Sequence, residues 1–254
     1  MADSNCPPLH SIASLDLLQV ISSRMESTPD KDGESSQSLL KLWVPVLEAM
    51  SEPAEKSKNG AVRQQAISLL TDSLLDKNSN SIPVDGGLYE IMNTICIPLV
   101  GKRVTDLLRI PYEVRSDLEE RLAELELCIS LLFKPFLHHI KALVTVKQEF
   151  IGIWISMLGI VTQLLGESAQ NKVVGKPARD NVVTRAQLFN TTKELASEHL
   201  RNAVMVLAAM GVLIDGVDSQ SDAQEISLVT WSAIGSIGYC KPFLSEWKKS
   251  ACQL

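Results

Sequence analysis

Apolar residues return every three or four positions along almost the whole chain, the spacing of one face of an α-helix. Ser14 to Met25 is predicted to be a short helix, with Leu15, Leu18, Ile21 and Met25 on one side. Thr28 to Ser38 is charged and rich in Ser and Gly, so it is predicted to be a loop. Leu39, Leu40, Trp43, Leu47 and Met50 form the next stripe, and Pro53 with the polar run to Gly60 is expected to end it. Val62, Ala66, Leu69, Leu70 and Leu74 mark a further helix, and Asn78 to Gly87 is a turn-rich break. Leu88 to Leu108 returns to helix, with Pro98 and Gly101 expected to kink or divide it.

Tyr112 to Leu137 is the most regular segment, through Leu118, Leu122, Leu125, Ile129 and Leu132. Its first half is laced with charge: Arg115 stands four before Glu119, and Asp117 four before Arg121. Its second half is apolar all round, which predicts deeper burial. Phe150 to Gly166 carries no charge, but falls slightly short of the roughly 20 residues of a membrane span. It is read as a buried core helix. Glu167 to Thr184 is polar and is read as a mobile loop. Arg185 to Leu213 is helical, Asp215 to Asp222 breaks it, and Glu225 to Ile237 and Phe243 to Lys249 are the last helices. No alternation of period two appears, so strand content near zero is expected.

The predicted fold is therefore all-α: an armadillo/HEAT-like stack of antiparallel helix pairs, with a helical bundle as the rival. Residues 1–13 are expected to be a flexible N-terminus. Residues 14–250 are expected to form a helical-repeat domain with mobile loops near 28–38 and 167–184.

Composition narrows the class. Apolar residues make up 45% and charged residues 21%, as in a folded, water-soluble protein. The net charge of −6 opposes non-specific nucleic-acid binding. The cysteines Cys6, Cys96, Cys128, Cys240 and Cys252 form no CxxC pair, and a reducing cytoplasmic setting is expected. MADSNCPPLH lacks the basic start and apolar core of a secretory signal, Ala2 is not the glycine of a myristoylation site, and Cys252 falls one place short of a prenylation box.

Few residues invite chemistry. His138 and His139 are adjacent and lack the further ligands of a metal site. NKVVGKP, from Asn171 to Pro177, has Gln170 where a phosphate loop needs glycine, and Pro177 where it needs Ser or Thr. Asp215, Asp218 and Asp222 lack the glycine and glutamate of a calcium loop. Glu119 and Glu120 belong to a solvated helix face. No cofactor is expected, and no catalytic or metal residue is assigned. The cations Lys172, Lys176, Arg179 and Arg185 are the candidate contact surface for an acidic partner or lipid headgroups. Trp247 with Lys248 and Lys249 is a second, smaller candidate.

Several stretches, taken in order, resemble a known family. LKLWVPVLEAM and AVRQQAISLLTDSLL are similar to the Trp-containing helix and the following VRxQAL-type helix of the large Golgi activators of Arf GTPases, the Golgi brefeldin A resistance factors. The matching residues are Leu42, Trp43, Pro45, Leu47, Val62, Arg63, Ala66 and Leu69. ICIPLV is similar to that family's FPLL element, and LLFKPFLHHI to its LLxKxFLxHL segment. Phe150 and Trp154 fit an F-x-x-LW helix, ELASEHLRNAVMVLAAMGVL resembles an ESLKNxLLVM region, and Trp231 falls where the family has another tryptophan.

The resemblance covers roughly residues 14 to 248. It is to the C-terminal, downstream region of those factors and not to their exchange domain, whose FRLPGE segment is absent here. It implies a non-catalytic helical regulatory module, acting in vesicle trafficking through protein contacts and recruitment to Golgi membranes. It further implies a cytoplasmic protein peripheral on those membranes and not transmembrane. A generic HEAT-type adaptor in another pathway is the alternative. The genomic sequence upstream of Met1 distinguishes a fragment of a longer factor from a truncated product or a stand-alone relative.

Overall fold

A computed structural model describes residues 20, 36–75, 87–109, 115–166, 179–213 and 222–253. In chain order the helices are α1 (Ser36–Lys56), α2 (Gly60–Leu75), α3 (Gly87–Ile91), a π-helical turn (Met92–Cys96), α4 (Ile97–Arg109), α5 (Arg115–His138), α6 (Ile140–Leu143), α7 (Lys147–Leu165), α8 (Arg179–Ala209), α9 (Asp222–Ser236), a 3-10 turn (Lys241–Phe243) and α10 (Leu244–Ala251). No strand occurs among the described residues. The fold is all-α and repeat-like, as the periodicity predicts. The predicted helix at Ser14 to Met25 and the flexible stretch 1–13 lie outside the described residues, apart from Val20.

The described residues fall into two compact units. The first draws on Met1–Val100 and Ser130–Phe150, the second on Gly101–Ile129 and Ile151–Leu254.

In the first unit, α1 and α2 pack together across the short connection 57–59. Trp43, Leu47, Met50 and Ala54 line the buried stripe of α1, and Val62, Ala66, Leu69, Leu70 and Leu74 that of α2. Asn59 caps α2: its Oδ1 accepts from Ala61 N at 2.9 Å and Val62 N at 3.4 Å. These are two of the amides that a helix start leaves without intrahelical acceptors. Arg63 Nη1 donates back to the Ser57 carbonyl at 3.1 Å. Trp43 and Arg63 thus belong to one helix pair. Phe136 and Phe150 stack at 6.0 Å between ring centroids, 22° between planes.

Pro53 departs from expectation, whereas Pro98 meets it in a particular form. Pro53 does not end α1, which runs on to Lys56. Proline removes one amide but not its carbonyl, and the Pro53 carbonyl still accepts from Ser57 N at 3.1 Å. Pro98 does interrupt its helix, by a π-turn just before it, where Ile97 N–H reaches back five residues to the Met92 carbonyl. The extra residue in the turn makes room where the proline ring would crowd the carbonyl four residues earlier. Gly101 causes no break; α4 continues through it to Arg109.

In the second unit, α7 is the apolar segment. Ile153, Trp154, Met157, Leu158, Val161, Leu164 and Leu165 are buried, whereas Ile155, Gly159 and Gln163 lie open. It is one helix long and apolar enough to cross a membrane by length and composition, yet it is built into packing here. Trp154 Nε1 donates to Thr230 Oγ1 of α9 at 2.8 Å, and that hydroxyl donates to the Ile226 carbonyl at 2.6 Å. Gln163 Nε2 donates to Thr105 Oγ1 of α4 at 3.2 Å.

Helix α8 begins at Arg179, earlier than the expected Arg185. After Pro177 nothing in the sequence breaks the helical register. It ends in a Schellman turn: Gly211 takes φ +70, its N–H reaches the Ala208 carbonyl at 2.9 Å, and Val212 N–H reaches the Leu207 carbonyl at 2.9 Å.

Candidate interaction surface

The described residues offer several polar arrangements, none of them with the geometry of a catalytic or metal centre. No group of three or more His, Cys, Asp or Glu converges as a metal site among the described residues. His139 sits in the turn after α5, and its Nε2 lies 2.9 Å from the Leu74 carbonyl at the end of α2. A carbonyl only accepts, so Nε2 carries the proton. Its ring meets His138 edge-on at 4.6 Å. Burial, with His138 in a smaller part, holds the His139 pKa below the usual histidine range against the pull of the carbonyl. This histidine is a helix-end cap.

Cys96 and Cys128 are core residues, as predicted, and so is Cys240, whereas Cys252 is exposed. Burial pushes the Cys96 thiol up to about 12. It pushes Cys240 up to about 11, despite a hydrogen bond from Ser197. Neither is a reactive thiolate near neutral pH.

The predicted contact cations are only partly placed. Lys172 and Lys176 lie outside the described residues. Arg179 and Arg185 belong to the first turns of α8, with their backbone alone described. The smaller candidate is rearranged by packing. Trp247 is buried, Lys248 Nζ stands 5.5 Å from the centroid of the Trp231 ring, and Lys249 is exposed. Glu119 and Glu120 are exposed, as expected of a solvated face. The side chains of Arg115, spaced to pair with Glu119, and of Asp117, spaced to pair with Arg121, lie outside the described residues.

Three features escaped the sequence. Glu124 on α5 is 2% exposed and pairs with Arg103 of α4, Oε1 to Nε at 2.8 Å. The contact is an ion pair without a well-aligned hydrogen bond between those two atoms. Lys193 on α8 is also 2% exposed. Leu228 on α9 is apolar yet 73% exposed. A buried charge among apolar positions, as at ELEL around Glu124, is a faint signal for the first. Nothing in local spacing marks the other two.

With this geometry in place, comparison with known proteins adds one match. The family model described as "GBF1-like, tetratrico peptide repeat region" covers residues 43–238 of the 254. The match opens on Trp43 and takes in the α1–α2 pair, the π-turn, α7, α8 and α9. Tetratrico peptide repeats run to about 34 residues, shorter than armadillo or HEAT units, and both stack helix pairs. No curated protein and no solved structure matches the chain.

Proposed function

The chain belongs to the GBF1-like tetratrico peptide repeat family, and from that premise we propose that it is a non-catalytic regulatory module of a Golgi Arf exchange factor. It acts in vesicle trafficking by docking to proteins and by helping to place the factor on Golgi membranes, as a cytoplasmic, peripheral component. The observation that carries this is the family match over 43–238, which spans most of the helical array. Helical repeats of this kind offer extended surfaces for protein contact.

The cations Lys172, Lys176, Arg179 and Arg185 are our proposed contact for an acidic partner. A net charge of −6 favours a protein over a bare anionic lipid surface, because the summed field of the chain opposes approach to the latter. Exchange itself requires a group inserted against the nucleotide's phosphates and magnesium, and we assign none to this chain.

Release of a fluorescent nucleotide from a purified Arf GTPase, with the chain added, tests this assignment. Release at the spontaneous rate is expected. Acceleration above that rate, dependent on chain concentration, contradicts it.

A further inference from the structure

Asn59–Gly60 is the one Asn-Gly pair in the chain, and it lies where α1 hands over to α2. In such a pair the main-chain nitrogen that follows the asparagine attacks the side-chain carboxamide, since glycine has no Cβ to crowd the approach. Asn59 is exposed, so water reaches it, and Gly60 is the first residue of α2. The fold holds this asparagine at three polar atoms. Its Oδ1 faces the Ala61 and Val62 amides at 2.9 and 3.4 Å. Its N–H donates to Ser57 Oγ at 3.2 Å. Its carbonyl accepts from Arg63 N at 3.1 Å and from Ser57 Oγ at 3.4 Å. The Arg63 side chain braces the same connection, through the Ser57 carbonyl at 3.1 Å.

Attack requires the Gly60 nitrogen to come within bonding distance of Asn59 Cγ. The Asn59 side chain and the peptide after it must both rotate to close that ring. The rotation takes Oδ1 off the Ala61 and Val62 amides and shifts the carbonyl that Arg63 N holds. All three donors belong to the first turn of α2, so the reaction waits on the opening of that turn. Helix ends open far more readily than the packed interior of a helix, and an exposed cap is held by only a few hydrogen bonds of modest net strength.

We propose that Asn59 is a site of spontaneous deamidation, gated by opening of the α2 cap, which turns a neutral helix cap into an anionic one. The Gly60 nitrogen gives its proton to hydroxide and bonds to Cγ. The carboxamide nitrogen takes a proton from water and leaves as ammonia, and a succinimide remains. Water then adds to either ring carbonyl. Addition at Cγ breaks its bond to the Gly60 nitrogen and leaves an aspartate at position 59. Addition at the main-chain carbonyl carbon breaks that carbon's bond to nitrogen and leaves an isoaspartate, with the chain running through Cγ. No oxidant, reductant or enzyme takes part. The aspartate keeps an acceptor for the Ala61 and Val62 amides and places a negative charge at a helix start, where it is favoured. The isoaspartate lengthens the chain by a methylene just before α2 and displaces that acceptor.

The test incubates the full chain in heavy-oxygen water at neutral and mildly alkaline pH, then maps its peptides by mass. Uptake of water oxygen at position 59 is expected, faster in alkali, as a mixture of aspartate and isoaspartate. The free peptide Ser57–Arg63, which lacks the helix, should react about tenfold faster or more, a factor set by the hydrogen bonds the fold adds. Arg63→Gln removes the brace on the connection and should speed the reaction in the folded chain about threefold. The same change in the peptide should have no effect. Asn59→Asp, which matches the first product, should melt no lower than the parent. A folded chain that stays unlabelled at position 59 after the peptide has fully reacted would overturn the site. Equal rates in chain and peptide, or a rate indifferent to Arg63→Gln, would overturn the gating by the cap. A lower melting temperature for Asn59→Asp would overturn the retained cap.

Discussion

Arg103 and Lys193 are both cations withdrawn from water within the second unit, and the fold treats them in opposite ways. Arg103 finds Glu124 at 2.8 Å, and both side chains are largely enclosed, 13% and 2% exposed. Lys193 is enclosed to the same degree as Glu124 and has no described counter-ion. Desolvating an ion costs several kcal/mol, which a close partner offsets and a lone charge must bear. The first arrangement is therefore a fastening between α4 and α5. The second carries a desolvation cost, seen in the lowered pKa of Lys193, that no described counter-ion offsets.

The comparison breaks most readily at Glu124. Glu124→Ala leaves Arg103 enclosed without its nearest partner and is expected to cost about 3–5 kcal/mol in denaturant unfolding. The double change Arg103→Met with Glu124→Leu should recover most of that loss, since both charges leave together. A single mutant as stable as the parent would mean that water reaches the pair.

Trp43→Ala is expected to cost a similar amount, about 3–5 kcal/mol, because the indole is fully buried in the α1–α2 pair. A mutant of unchanged stability would recast this face as a partner-binding surface.

Lys193→Met should act in the opposite direction, modestly stabilising the chain at neutral pH, because desolvation disfavours the charged amine. The sign follows from linkage. The folded pKa of Lys193 lies below its unfolded value of 10.5, so in that window the unfolded state binds more protons. Below the folded pKa the full burial cost is present. As pH rises through the window toward 10.5 the cost is relieved, so the advantage of Lys193→Met over the parent should shrink. Tyr239, Cys96 and Cys240 also titrate in alkali, with pKa values raised by burial, so the difference between the two proteins carries the information. An advantage that stays constant across the window would show that the folded and unfolded pKa of Lys193 coincide, its amine being solvated in both states.

The smallest contrast concerns two indoles. Trp154 Nε1 donates to Thr230, whereas Trp43 Nε1 is buried with no hydrogen-bond partner. Beyond the common loss of ring area, Trp154→Phe should cost about 1 kcal/mol more than Trp43→Phe. Equal losses would show that Trp43 also finds an acceptor.

Most of the helical framework was legible because burial repeats locally. Leu118, Leu122, Leu125, Ile129 and Leu132 lie where their spacing put them, all buried. The end of α8 was misplaced: the sequence reading carried it to Leu213, whereas it ends at Ala209 and Gly211 takes the positive φ of the closing turn. The π-turn before Pro98 was legible as an interruption but not in kind, because whether a helix kinks, ends or widens depends on what packs around it. Pro53 misled for the same reason.

Polar burial was the part hidden from the sequence. Glu124 meets a residue on another helix, and Lys193 is covered by neighbours distant in sequence, so neither leaves a mark in local periodicity. The contact cations were chosen from composition alone. Of those, the structure describes only the backbone of Arg179 and Arg185.

The central claim is that this helical array helps place an Arf exchange factor on Golgi membranes. Its most direct test is imaging of the fluorescently tagged chain in living cells, alongside a full-length factor of the family. The account predicts that the chain concentrates at the Golgi and alters the factor's recruitment, and that neutralising the Arg179 region weakens both effects. A chain spread evenly through the cytosol, with the factor's recruitment unchanged, would contradict it.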